Sequence, residues 1–143
     1  MKKIVLYFLL LSFTALKAQE VNPKATIVAF FNAFHAKDTV NLQKISHKEI
    51  SIQTIATTKE EEKLITEKYS DFLKSISAIP NTVKFEERIL DYQIQIDGGL
   101  AHVWTPYEFY INNTLSHKGV NSFTLLKQNN GWVIIHIIDT RRK

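Results

Sequence analysis

The chain has no cysteine. That excludes a disulfide framework, thiolate catalysis and a lipid anchor carried on cysteine, so stability in an oxidising compartment has to come from packing. Glycine is scarce too, at four residues, and proline at three. A chain so poor in glycine carries no phosphate-cradling loop, dinucleotide fingerprint or nucleophile elbow, and ATP use, Rossmann-type binding and serine hydrolysis drop out. An excess of one charge is also lacking. The sequence holds 18 Lys and Arg against 14 Asp and Glu. Lys2, Lys3 and Lys17 belong to a leader-like N-terminus, however, and without them the balance is 15 to 14. Such a chain, with no nucleic-acid motif, is not a nucleic-acid binder.

What is present begins with that N-terminus. Lys2 and Lys3 precede an apolar run from Ile4 to Leu16, relieved only by Ser12 and Thr14, and Ala18 supplies the small residue before a cut. The pattern predicts a secretory signal peptide over residues 1–18, cleaved after Ala18, and a periplasmic or secreted protein. The run is too short for a spanning helix, so no stable membrane insertion is expected after cleavage. Residues 19–143 then form one domain, long enough for a single hydrophobic core.

The domain reads as helices followed by strands. Asn22 before Pro23 is a helix start, and Ile27, Phe30, Phe31 and Phe34 recur at helical spacing. Asp38 or Thr39 caps a short second helix carrying Val40, Leu42 and Ile45, and Ile50 and Ile52 mark a short strand. Thr58 with Glu61 has capping-box spacing, which predicts a third helix through Ile65, Tyr69, Phe72, Ile76 and Ile79, stopped by Pro80. Turn signals at residues 97–99, 112–113 and 129–131 then separate four strands near 83–96, 100–111, 114–127 and 132–139. A parity switch in the first strand predicts a bulge near 87–90, and Pro106 marks an irregularity or an edge.

A tight turn at Asn112 and Asn113 places Ile111 opposite Thr114. Carried on without a bulge, this register sets Glu108 against His117, Trp104 against Asn121 and His102 against Phe123. The last hairpin sets Leu125 against His136 and Phe123 against Ile138. One face then collects His102, Trp104, Glu108, His117, Asn121, Phe123, His136 and Ile138, an apolar wall with polar groups such as a ligand pocket has. The other face, with Val103, Thr105, Tyr107, Phe109, Val120, Ile135 and Ile137, is too apolar for water, and a second copy of the chain packed sheet to sheet would cover it.

This order of elements resembles the nuclear transport factor 2-like fold, also called the SnoaL-like or cystatin-like cone. The closing run 129–136, with Gly131-Trp132 and His136, is similar to that family's glycine-tryptophan strand followed by a histidine. The runs 104–110 and 117–123 look like a secreted bacterial subgroup described as lumazine-binding. The resemblance spans about residues 23–142. It implies an α+β cone with three N-terminal helices packed on a curved antiparallel sheet. Members include dehydratases, isomerases, cyclases and binding domains, whose acid–base residues lie inside the cone. An Asp partner from the early strand is missing here, because residues 46–56 contain none.

The expected function is the binding of a small apolar or planar molecule. Trp104, Phe123 and Ile138 would give contact area, and His102, Asn121 and Tyr110 would hydrogen-bond or stack. The alternative is a cofactor-free acid–base enzyme of dehydratase, isomerase or cyclase type, using His117, His136 and Glu108. A carboxylate beside an imidazole raises its pKa and fixes its tautomer, although the same pair also serves as a rim salt bridge, and His136 as a core histidine. A third reading is a homodimeric protein-interaction module. No cofactor is expected, and no metal: His117 and His136 are offset too far along neighbouring strands to share an ion.

Overall fold

The computed structural model describes residues 22–59, 61–129 and 131–143. The expected signal peptide lies outside them. Helix α1, Pro23–His35, starts as its sequence dictates: the Asn22 side chain accepts from the Ala25 N–H at 3.0 Å, and proline occupies the first turn. The helix ends where Lys37 takes a left-handed conformation (φ 56°). The Lys37 ammonium then donates to the carbonyls of Ile79, Pro80 and Val83, tying this corner to the segment after the third helix. Helix α2, Thr39–Lys44, is capped by Asp38 and buries Leu42.

Strand β1 (Ser46–Thr57) and strand β2 (Glu62–Glu67) form a hairpin, and only then comes helix α3 (Tyr69–Ser77). The expectation of three N-terminal helices is therefore corrected: two precede the sheet. The Thr58 and Glu61 pair is a hairpin turn, in which the Glu61 N–H donates to Thr58 Oγ1 at 3.0 Å and the Thr58 N–H donates to the Glu61 carbonyl at 3.0 Å. A threonine hydroxyl offers the same bond to a strand turn as to a helix start. The Lys63-Leu64-Ile65-Thr66 run then pairs with β1, which excludes it from any helix.

Strands β3 (Phe85–Ile89), β4 (Gln93–Asp97), β5 (Leu100–Ile111), β6 (Thr114–Gln128) and β7 (Gly131–Arg142) complete one sheet. Its order is β2-β1-β7-β6-β5-β3, with β4 also on β5. It is mixed, because β1 runs parallel to β7. It is also open, neither closed nor strongly curled, a second departure from the expected curved antiparallel sheet. The single strand expected over 83–96 is two. They separate at Leu90, whose N–H donates to the Pro106 carbonyl at 2.9 Å. Pro106 has no N–H to donate in return, so an unbroken partner strand has nothing to pair with there.

The turn at Asn112 (φ 47°) and Asn113 (φ 63°) sets Ile111 opposite Thr114, as expected. The register then shifts by one: Tyr110 faces Leu115, but Phe109 faces His117, leaving Ser116 as the extra residue of a bulge. A second bulge at Ile135 shifts β6 against β7, so that Leu125 faces Ile134 while Thr124 faces His136. Each slip turns every later side chain to the opposite face. The side packed by α1 therefore carries Ala101, Val103, Thr105 and Tyr107 from β5, and Ile137 and Asp139 beyond the bulge in β7.

The core lies between that face and the helices. Ile27, Val103, Phe123, Leu125 and Ile134 are fully buried. Phe123 meets Phe30 and Phe31 edge-on, with ring centroids 5.5 and 5.8 Å away, and Phe34 stacks on Phe72 at 6.2 Å. Edge-on and offset aromatic pairs of this kind contribute about 1 kcal/mol each beyond burial.

Candidate functional site

Three rows of side chains cross the inner face of the sheet, one residue from each of β1, β7, β6 and β5. The first is apolar: Ile52, Ile137, Phe123 and Val103. The second is polar: Thr54, Asp139, Asn121 and Thr105. The third runs Ala56, Arg141, Gly119 and Tyr107. The apolar row continues into the phenyl rings of α1 and α3. A cavity of about 90 Å³ opens where the first two rows meet. Phe30, Phe31, Phe34 and Phe72 roof it, and Thr54, Glu87, Asn121, Asp139, Arg141 and Glu67 supply its polar wall and mouth. At about 30 Å³ per water it has room for about three waters, or a molecule of a few heavy atoms. A wider cleft of about 510 Å³ at Lys84, Phe85 and Tyr110 is a surface groove flanked by exposed Thr82, Glu86, Asn112 and Asn113.

The polar row is internally bonded. Asp139 accepts from Thr54 Oγ1 on one oxygen and from Arg141 Nε at 2.9 Å on the other. Asn121 is buried and gives its amide N–H groups to Glu87 Oε1 at 2.5 Å and Thr105 Oγ1 at 3.3 Å. Tyr107 donates to the Thr140 carbonyl at 2.9 Å, its ring lying against Gly119, where a Cβ would fall 2.7 Å from the ring and 1.9 Å from the Thr140 oxygen. Only glycine fits that crossing.

Glu87 is the chemically unusual member. It sits on β3 opposite Phe109, between Phe85 and Ile89 on the same side, so a carboxyl occupies an apolar position. Its backbone N–H donates to His35 Nε2 at 2.9 Å, which requires His35 to be neutral with its proton on Nδ1. Burial raises the Glu87 pKa to about 7; the Asn121 hydrogen bond opposes this and the Asp139 charge adds to it. Burial also lowers His35, against the raising influence of Glu86. Tyr107 is pushed up strongly by burial and by the Asp139 and Glu87 charges. His117 is lowered by burial and by Arg141, with Asp139 opposing.

The sequence-predicted residues divide between the two faces. Asn121 and Phe123 line the cavity. His117 lies on the same side at the open end, stacked on Phe109 with centroids 4.8 Å apart and edge-on to Tyr107 at 5.8 Å. It is not paired with Glu108, which the bulge at Ser116 turns away. Glu108 instead accepts from Lys118 Nζ at 2.7 Å and from the Tyr110 hydroxyl at 2.9 Å. Tyr110 also lies under the Arg88 guanidinium, 3.8 Å from the ring centroid.

Trp104 and Ile138 share an outer row with Ser122 and Gln53, and Trp104 is 41% exposed. His102 bonds Ser122 Oγ at 2.9 Å, and His136 bonds Gln53 Oε1 at 2.9 Å, both on that outer face. The expected single constellation is thus corrected by the two bulges. Glu87, Thr54, Asp139 and Arg141 stand outside the sequence-predicted constellation. The signal for Glu87 was a lone carboxyl between Phe85 and Ile89 at the apolar positions of a strand. Among the described residues no three His, Asp or Glu side chains converge as metal ligands, and no helix is long and apolar enough to cross a membrane.

This open mixed sheet with two N-terminal helices over one face is similar in fold to the nuclear transport factor 2-like α+β cone. Solved structures agree on the fold. An NTF2-like protein of unknown function from Methylobacillus flagellatus superposes with a TM-score of 0.60 at 21% identity, over 84% of this chain and 89% of that one. A Streptomyces avermitilis protein of the NTF2-like family, described as a candidate dehydratase, gives 0.63 at 12% identity over 84% and 93%. A candidate calcium/calmodulin-dependent protein kinase type II association domain from Thiobacillus denitrificans gives 0.63 at 10% identity over 86% and 97%. No family model and no curated protein matches the sequence.

Proposed function

We propose that the protein is a periplasmic or secreted small-molecule-binding member of this fold, holding its ligand in the cavity between α1, α3 and the sheet. The observation that carries the reading is the meeting of an aromatic roof with two hydrogen-bonded polar pairs, Thr54 with Asp139 and Asn121 with Glu87. Apolar surface supplies contact area and a few fixed polar groups orient the ligand, the usual division of labour in a binding pocket. The leader-like N-terminus supports the location. The likeness of runs 104–110 and 117–123 to a lumazine-binding subgroup favours a planar ligand, of which the small cavity admits one ring edge or a polar end.

Ligand mapping tests the reading. In two-dimensional amide NMR with a fragment library, binders should shift Glu87, Asn121 and Phe123. Shifts confined to Trp104, His102 and Ile138 would move the site to the outer face.

A second reading, cofactor-free acid–base catalysis, is favoured by one specific observation. Glu87 titrates near neutrality beside an amide donor, where a carboxyl can both give and take a proton. Glu87 is then the acid–base group, in place of the His117 and Glu108 pair. The homodimer is proposed through a different surface from the expected one: Val103, Thr105, Tyr107 and Ile137 are buried under the helices, and the outer face left open carries Trp104, Val120 and Ile138.

A further inference from the structure

The charges around the cavity are unequal. Glu67, Glu87 and Asp139 face it against a single Arg141, and that guanidinium is already held by Asp139 at 2.9 Å. An anionic ligand would meet uncompensated carboxylates. A neutral one would leave the Glu87 charge unanswered at alkaline pH. The opposite wall is made of phenyl rings, which give contact area to the hydrocarbon part of a ligand. Glu87 has one oxygen committed to Asn121, and among the described residues it forms no ion pair, Arg141 acting on it only through space. What the cavity lacks is a small cation with an apolar tail.

We infer that the cavity takes a small protonated amine, its alkyl part against Phe30, Phe31, Phe34 and Phe72 and its ammonium against the Glu87 carboxylate. This rests on the small-molecule reading and names its ligand class. The volume of about 90 Å³ limits the amine to a few heavy atoms, or to the amino end of a longer molecule that leaves past Glu67. The ammonium requires Glu87 ionised, so binding couples to its titration. The charged or titratable groups near Glu87 are His35 from α1, Glu86 on its own strand, Tyr107 from β5, Asp139 and Arg141 from β7, and Glu67 of β2 at the cavity mouth. With Glu87 titrating at about 7, its ionised fraction falls about tenfold between pH 8 and pH 6. Amine affinity should fall by the same factor.

The test compares three probes of matched shape, n-butylammonium, n-butanol and butyrate, by amide NMR titration at pH 8 and pH 6. Expected is saturable movement of Glu87, Asn121 and Phe123 with butylammonium. It should bind at least tenfold tighter than butanol or butyrate at pH 8, weaken about tenfold at pH 6, and lose its advantage over butanol in Glu87→Gln. Butanol equal to butylammonium, or butyrate stronger, would overturn the amine assignment while leaving a small-molecule site. The wild-type pH comparison carries the test on its own if the variant is poorly folded. If none of the three moves these amides, both the assignment and the binding reading fail.

Discussion

Replacing Glu87 by Gln should stabilise the protein, by an amount that grows as the pH rises from about 4.5 to about 7. The folded chain holds this carboxyl at about 7, against 4.5 for the free group, chiefly by burying it. At 1.36 kcal/mol per pKa unit, ionising it in place costs about 3 kcal/mol. In this direction of displacement the native state binds more protons than the unfolded state between pH 4.5 and 7. Stability is therefore full below pH 4.5, declines through the interval and is lowest above pH 7.

Gln keeps an oxygen to accept from Asn121 Nδ2 and never ionises, so it removes the decline and little else. The two proteins should have equal stability at pH 4.5. At pH 8 the variant should be ahead by about 3 kcal/mol, or about 10 °C in Tm for a domain of this size. Urea unfolding of both proteins at pH 4.5, 6 and 8 measures the difference, and subtraction cancels the titrations of His35 and His117. A difference that stays constant across pH, or a variant weaker at pH 8, would refute the burial argument.

Three further outcomes follow from the packing. Gly119→Ala forces a methyl into the Thr140 carbonyl and the Tyr107 ring and should cost more than about 3 kcal/mol in chemical denaturation, since neither neighbour is a free side-chain end. Phe123→Ala empties the centre of the aromatic cluster and should cost about 3–5 kcal/mol, while widening the cavity enough for fragments the wild type rejects, checked by thermal shift with and without them. Val120→Glu or Ile138→Glu, on the outer face, should leave the monomer folded and abolish self-association in analytical ultracentrifugation; dimers persisting in both variants would remove that face from the interface.

The elements that local chemistry decides were legible in the sequence. Asn22-Pro23 starts α1 and Asp38 caps α2 through bonds to neighbouring residues only, and Asn112-Asn113 turns the β5–β6 hairpin by taking the left-handed backbone that asparagine tolerates. The misread parts are those where one local signal serves two structures. Thr58 and Glu61 satisfy a helix cap and a hairpin turn with the same hydroxyl, and the pairing of β2 with β1 decides between them. The bulges at Ser116 and Ile135 carry no glycine or proline to announce them, and their cost to the site assignment was large because the strand period is two. Asn121 and Phe123 stayed on the correct face because β6 itself is regular from Gly119 to Leu125. Trp104, His102, His136 and Ile138 crossed over with the shifted registers. Asp139 bonds Arg141 two residues further along the same strand, and that local bond also builds the wall of the cavity.

Native mass spectrometry of the protein gently purified from its own host, followed by denaturation and identification of what is released, tests the inner-face cavity most directly when run beside Asn121→Leu and Trp104→Ala. The proposed site predicts a discrete non-covalent mass on the wild type and on Trp104→Ala that is lost from Asn121→Leu. A mass kept by Asn121→Leu and lost from Trp104→Ala would contradict it and place the ligand on the outer face.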